Sequence, residues 1–175
     1  MTSFSIPTIE TDRLILRAHS AQDFDDLAAL WADPWVVRFI NGTPSTRTES
    51  WNRLLRYAGM WPVLGYGYWC VTTHDGQFLG EVGFANFQRD LTPSIADTPE
   101  AGWVMTQSSA GQGFATEAMQ AAHRWADTRF PKTVALFDPD HTASQNVARK
   151  LGYTRAHIAD FAGRDTLVMA RSVAQ

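Results

Sequence analysis

The chain has 175 residues, of which 45% are hydrophobic and 19% charged, a composition that suits one globular domain over residues 1–175 and argues against disorder. Its one cysteine, Cys70, excludes an intramolecular disulfide and a cysteine-rich zinc site, and its net charge of −3 argues against a nucleic-acid partner. No apolar run approaches the roughly 20 residues of a membrane span, and the start MTSFSIPTIE lacks the features of a secretory signal, so a cytoplasmic protein with no membrane partner is expected.

Leu14-Ile15-Leu16, between Arg13 and Arg17, reads as a first strand. Residues 20–31 follow with Phe24, Leu27, Ala28, Leu30 and Trp31 at helical spacing. Ser20 and Asp23 are placed to cap that helix, and Asp33-Pro34 ends it. A second helix is expected over residues 46–58, stopped by Gly59. Residues 68–73 and 78–87 read as strands joined by His74-Asp75-Gly76-Gln77, a hairpin signal. Residues 91–99 read as a loop and 101–105 as a short apolar strand. A Ser- and Gly-rich segment, 106–113, opens into a helix over 114–129 that sets Phe114, Ala118, Met119, Ala122, Trp125 and Ala126 on one face. Residues 132–137 form a strand and 142–151 a short helix closed by Gly152, before two last strands near 153–159 and 166–171. Middle hairpins and a late β-α-β unit together predict a mixed sheet with helices on both faces.

The unit from Trp103 to Ala118 carries the most chemistry. A strand ends, a glycine loop turns and a long helix begins. The first turn of a helix exposes unpaired N–H groups and a partial positive charge. Gly111 and Gly113 let backbone approach an anion with no Cβ between them, which suits a phosphate or pyrophosphate. No lysine follows, so this is not a P-loop, and Thr116 stands where a dinucleotide fingerprint needs a third glycine. From the glycines alone, a plain helix entry without a ligand is an equal reading.

Ala110-Gly111-Gln112-Gly113-Phe114-Ala115 resembles the Q/R-x-x-G-x-G/A acyl-CoA motif of the GNAT N-acetyltransferases, and Thr116-Glu117-Ala118 extends the match. The resemblance is to the RimJ/RimL-like branch. Thr11 to Arg17, Phe78 to Phe84 and Ser144 to Tyr153 are similar to its opening strand, third strand and late helix, in the expected order. The resemblance implies the GNAT fold, α/β with a mixed, mostly antiparallel sheet of about 6–7 strands and helices on both faces. It implies acetyl-CoA as cosubstrate and no metal. Val104 and Met105 would then pair through backbone groups with the pantetheine arm. The N–H groups of Gly111, Gln112, Gly113, Phe114, Ala115 and Thr116 would hold the pyrophosphate. Ser144 would place a hydroxyl near the sulfur, and His141 and Asn146 would contact the cofactor. Two positions depart from the pattern. Ala110 replaces the usual Gln or Arg, and His141 stands where many relatives have Asn, which leaves its partner open between cofactor, substrate and solvent.

Acetyl transfer to an amine needs a deprotonated amine, donors for the developing oxyanion and a tolerable leaving thiolate. Direct transfer needs no covalent intermediate, so Cys70 reads as a strand residue. Glu81 and Glu100 are the general-base candidates. Alternation puts Glu81, Gly83 and Ala85 on one sheet face and Val82 and Phe84 on the other. Ser144 has a second reading, because Thr142-Ala143-Ser144-Gln145 is a capping-box pattern. The five histidines lack metal-ligand spacing, and His123 reads as solvated. The aromatic residues between Trp31 and Trp69 read mostly as core, with some lining an acceptor pocket beside a substrate-facing loop over 61–67. The expected function is N-acetylation of a primary amine, on a small molecule or a peptide. Two rivals stand beside it: an acyl-CoA-binding GNAT module without turnover, and an unrelated nucleotide-binding α/β protein. Edge strands near the C-terminus keep a homodimer open.

Overall fold

The structure is a computed structural model that describes residues 5–173. The first half contains β1 (Ile9–Glu10), β2 (Leu14–Arg17), α1 (Phe24–Ala32), α2 (Pro34–Val37), α3 (Arg47–Leu64), β3 (Tyr68–Thr73), β4 (Phe78–Ala85) and β5 (Leu91–Thr92). The second half contains β6 (Glu100–Met105), α4 (Phe114–Ala126), β7 (Lys132–Phe137), α5 (Thr142–Lys150), β8 (Thr154–Phe161) and β9 (Arg164–Ser172). They form one sheet in the order β1-β2-β3-β4-β6-β7-β9-β8-β5. Every pairing is antiparallel except β6–β7. The nine strands exceed the expected 6–7 because β1 and β5, two residues each, are too short to leave a periodic signal.

Local chemistry sets the helix starts. The Ser20 N–H donates to Asp23 at 2.7 Å, and Arg17 grips the same carboxylate with two bonds, opening a 3-10 turn that runs into α1. Asp33 ends α1 and caps α2 by accepting the Trp35 N–H at 2.8 Å, with Pro34 at the first helical position. Thr46 and Glu49 close a reciprocal capping box on α3.

Gly59 does not stop α3. The helix runs on through Pro62 to Leu64 and ends on Gly65 at φ +78°. A helical glycine costs about 1 kcal/mol, whereas burying a tryptophan is worth about 4 kcal/mol or more. Trp61 is 1% exposed and donates its indole N–H to Tyr68 O at 3.0 Å. It packs edge-on against Trp69 and beside Trp125. The substrate-facing loop expected over 61–67 is therefore mostly helix, and its tryptophan is core.

Alternation along the strands divides the core. Tyr68, Glu81 and Ala85 face α1–α3, while Trp69, Val71, Val82 and Phe84 face α4 and α5. His123 is not solvated as expected: α4 carries it against the sheet, 3% exposed, edge-on to Phe84. Its Nε2 shares a 3.2 Å hydrogen bond with the Tyr153 hydroxyl, which also meets Thr133 at 2.6 Å. Burial first, and then the charge of Arg171, push this imidazole down from 6.5 to about 4. Between those values the unfolded chain binds a proton there that the native chain does not. The stability that neutral His123 confers is complete above pH 6.5 and is lost as pH falls toward 4, by about 3 kcal/mol. Urea midpoints at pH 7 and pH 4.5 should therefore converge in His123→Phe relative to wild type, since phenylalanine takes up no proton. An unchanged pH dependence in that variant contradicts the assignment.

Candidate active site

β6 pairs with β4 along its whole length, from Glu100 to Met105. It pairs with β7 only at Glu100, opposite Val134, whose N–H reaches Pro99 O at 3.0 Å. Beyond that point the β7-facing backbone of β6 has no strand partner, and a cavity of about 980 Å³ opens there. Val104, Met105, Gly111, Gly113, Phe114, Ala115, Thr116, His141, Ser144 and Asn146 all line it. Sequence reasoning singled out each of these, and the fold brings them around one cavity.

The glycine loop shows why its residues are small. Gly111 and Gly113 sit at φ +75° and +79°, where a Cβ is strained, and Gly113 is the N-cap of α4. The first intrahelical bond runs from Glu117 N–H to Gly113 O at 3.0 Å. The N–H groups of Phe114, Ala115 and Thr116 precede it and face out from the positive end of the helix. Arg13 holds the loop from outside. It donates to Gln112 O at 3.0 Å and to Glu117 at 2.6 Å, with its guanidinium 4.5 Å from the centre of the Phe114 ring. The Gln112 side chain turns away to donate to Ser108 O at 2.8 Å, so only its backbone belongs to the loop. Outside the loop lies a second, polar hollow of about 570 Å³ that includes Thr116, Arg124 and Lys150.

Across the cleft, His141 is the N-cap of α5. Its ring stacks on Phe39 at 4.5 Å, and its Nε2 lies 3.2 Å from Ser144 Oγ. Burial, helped by Arg38, lowers the His141 pKa, so the imidazole is neutral at pH 7. The capping box expected at Thr142 does not form. Thr142 is already helical, and Gln145 donates to Pro139 O at 2.8 Å instead. The Asn146 side-chain oxygen accepts from Arg149 at 2.7 Å.

The two glutamates part company. Glu81 does not reach the cavity: it is 0% exposed, and one oxygen accepts both the Trp31 indole N–H and the Tyr57 hydroxyl at 2.8 Å. The His19 imidazole, whose side chain is likewise 0% exposed, stands 3.6 Å from the other oxygen. A direct encounter with an acceptor amine is blocked by Trp31 and Tyr57, which form the cavity wall in front of it. Glu100 lines the cavity, but Arg89 takes both of its oxygens at 2.7 and 3.0 Å. Cys70 is buried, and desolvation pushes its thiol up to about 12, so it carries no thiolate at neutral pH.

The far end of the cavity holds residues that sequence reasoning missed or counted only as aromatic. Tyr57 and Tyr68 stack at 4.6 Å. Gly102 leaves room for the Tyr68 hydroxyl, which a Cβ there would strike. Burial raises the Tyr68 pKa and keeps that hydroxyl protonated. Arg53 lies 3.6 Å over the Trp31 ring, Arg38 4.0 Å over Trp35, and Arg56 5.1 Å over Phe87. The spacing of Arg53, Arg56 and Tyr57 along one helix was the available signal.

The family model described as "Acetyltransferase (GNAT) domain" matches residues 13–154. An uncharacterized protein of Bacillus subtilis, YkkB, is 30% identical over 152 residues, 81% of this chain and 82% of that protein. A GNAT-family acetyltransferase structure from Bordetella pertussis superposes with a TM-score of 0.83 at 28% identity, covering 95% of this chain and 100% of that one. RimL, a ribosomal L7/L12 α-N-protein acetyltransferase solved in complex with coenzyme A, has the same fold, with a TM-score of 0.78 at 19% identity over 95% of this chain and 98% of that one. With the open β6–β7 cleft leading into a glycine-loop helix start, these matches establish that the chain is an acyltransferase and belongs to the GNAT acetyltransferase family.

Proposed function

We propose that this chain moves an acetyl group from acetyl-CoA to a primary amine by direct transfer. The carrying observation is the unpartnered edge of β6 leading into the N-terminus of α4 along one cavity wall. Bound acetyl-CoA supplies an electrophilic thioester carbonyl and a thiolate leaving group. The backbone of Val104 and Met105 would complete the missing ladder with amide groups of the pantetheine arm. The N–H groups of Phe114, Ala115 and Thr116, with the glycine loop before them, would hold the pyrophosphate. Arg124 and Lys150 are the cations of the outer hollow not paired within it that could meet further phosphate, beside Glu10 and Asp12 on the same lining. The RimL complex supports coenzyme A as the ligand of this fold, and its activity on a protein α-amine supports a protein N-terminus as acceptor.

In the transfer the C–N bond forms as the C–S bond breaks, the amine loses a proton and the thiolate gains one. With its proton on Nε2, His141 would donate to Ser144 Oγ, 3.2 Å away, and leave the Ser144 hydroxyl proton free to hydrogen-bond the departing sulfur. Neither glutamate is placed to take the amine proton directly, so we assign that step to cavity water and give Glu100 the task of holding Arg89. A binding module without turnover would show the same occupied carboxylates. Ser144→Ala tests the reading. Acetyl-CoA affinity by calorimetry should stay within about twofold while kcat falls about tenfold or more, the scale of one lost transition-state hydrogen bond. Full turnover in that variant removes Ser144 from the mechanism.

A further inference from the structure

The chain is acidic overall, yet the acceptor end of its cavity is lined by arginines. Arg53 and Arg56 project from one face of α3, and Arg38 follows α2. Among the described residues none of the three forms an ion pair with a carboxylate, in contrast to Arg13, Arg17, Arg47, Arg89 and Arg171. Each guanidinium instead lies over an aromatic face: Arg53 on Trp31, Arg56 on Phe87 and Arg38 on Trp35. A guanidinium stacked by its face keeps its N–H edge free, and that edge matches a carboxylate bidentately. Arg53 uses one N–H on the Ser45 hydroxyl at 3.3 Å, and Arg38 one on Trp35 O, which leaves several donors on each. Among the described residues no carboxylate on the same cavity forms an ion pair with them: Glu100 is held by Arg89, and Asp138 and Asp165, the second residue of β9, pair with none of the three. Glu49, one turn before Arg53, is bonded in the α3 capping box and feels the Arg53 charge, but the two form no ion pair and Glu49 is exposed to solvent.

We propose that the acceptor is an anionic amine, one that carries carboxylates within a few residues of its amino group, held by the edges of Arg53, Arg56 and Arg38. The inference rests on the acetyl-transfer reading above and names the substrate class of that site. Three cations exceed what one carboxylate needs, which favours the N-terminus of an acidic peptide over a single amino acid.

The test compares amidated peptides with a common N-terminal serine followed by Asp-Asp, Asn-Asn or Lys-Lys, together with free glutamate, at fixed acetyl-CoA. The expected result is a kcat/KM at least about tenfold higher for the Asp-Asp peptide than for Asn-Asn, carried in KM, with Lys-Lys poorest. The ratio should shrink with added salt. Arg53→Gln/Arg56→Gln should bring it toward one, and Arg53→Lys/Arg56→Lys should restore part of it. Glutamate outperforming every peptide identifies a small carboxylate as the source of the same chemistry. Equal or better turnover of the Asn-Asn peptide, or a ratio untouched by the glutamine pair, overturns the proposal. Turnover of no amine sinks the transferase reading, and a fluorescent Asp-Asp peptide then decides the anion site by anisotropy in the presence of CoA. Salt-sensitive binding lost in the glutamine pair keeps that site; no difference between wild type and the pair removes it.

Discussion

Gly113→Val should weaken acetyl-CoA binding by about a hundredfold or more, from backbone strain and a side chain set over the anion-binding N–H groups. Gly113 sits at φ +79°, a conformation that costs an ordinary residue about 1–2 kcal/mol and a β-branched one more. The added Cβ meets Arg13 at 3.5 Å, an ordinary contact, so the loop is not pushed apart by collision. What changes is the direction of the loop and the space in front of Phe114, Ala115 and Thr116. Gly111→Ala is the comparison: it adds a Cβ at φ +75° with nothing within 4 Å. It should cost about 1 kcal/mol of stability and far less affinity. Calorimetric titration separates the two, and equal affinities for both variants contradict the anion-cradle assignment.

Glu81→Ala should be the most destabilising single change near the site, at about 3–5 kcal/mol, because it orphans buried donors. Trp31 and Tyr57 would lose their shared acceptor, and His19 its neighbour, in a region without solvent. The melting temperature should fall by roughly 10 °C. Glu81→Gln keeps an oxygen for the two donors and should cost much less. Because Trp31 and Tyr57 stand between residue 81 and the cavity, the glutamine variant should retain the wild-type pH profile of kcat/KM. A stable glutamine variant with abolished turnover would instead show that a proton passes through Tyr57.

What could be seen in the sequence was local. Asp75-Gly76 marked the β3–β4 hairpin, and Gly111 and Gly113 marked the start of α4, because turn geometry and helix ends are set by neighbouring residues. What could not be seen was set at long range. Gly59 and Pro62 signal a helix end, but burial of Trp61 beneath the sheet outweighs both. His123 looked polar-facing until Phe84 and Tyr153 closed over it. The site divides the same way. The cofactor loop lies in one stretch of chain. Glu81 and Glu100 could be found as residues but not as environments, since their partners come from 50 residues upstream for Trp31 and from the irregular segment after β4 for Arg89. Where β6 parts from β7 is a property of two strands and the helix between them, and no single segment encodes it.

The most direct test of acetyl transfer is amine-dependent thiol release from acetyl-CoA by the purified wild-type chain, with the peptide product identified by mass. The expected result is one free thiol and one N-acetylated amine per turnover, requiring enzyme, acetyl-CoA and amine together. Acetyl-CoA that binds but releases no thiol with any amine contradicts the enzyme mechanism and leaves a binding module; failure of acetyl-CoA to bind contradicts the site itself.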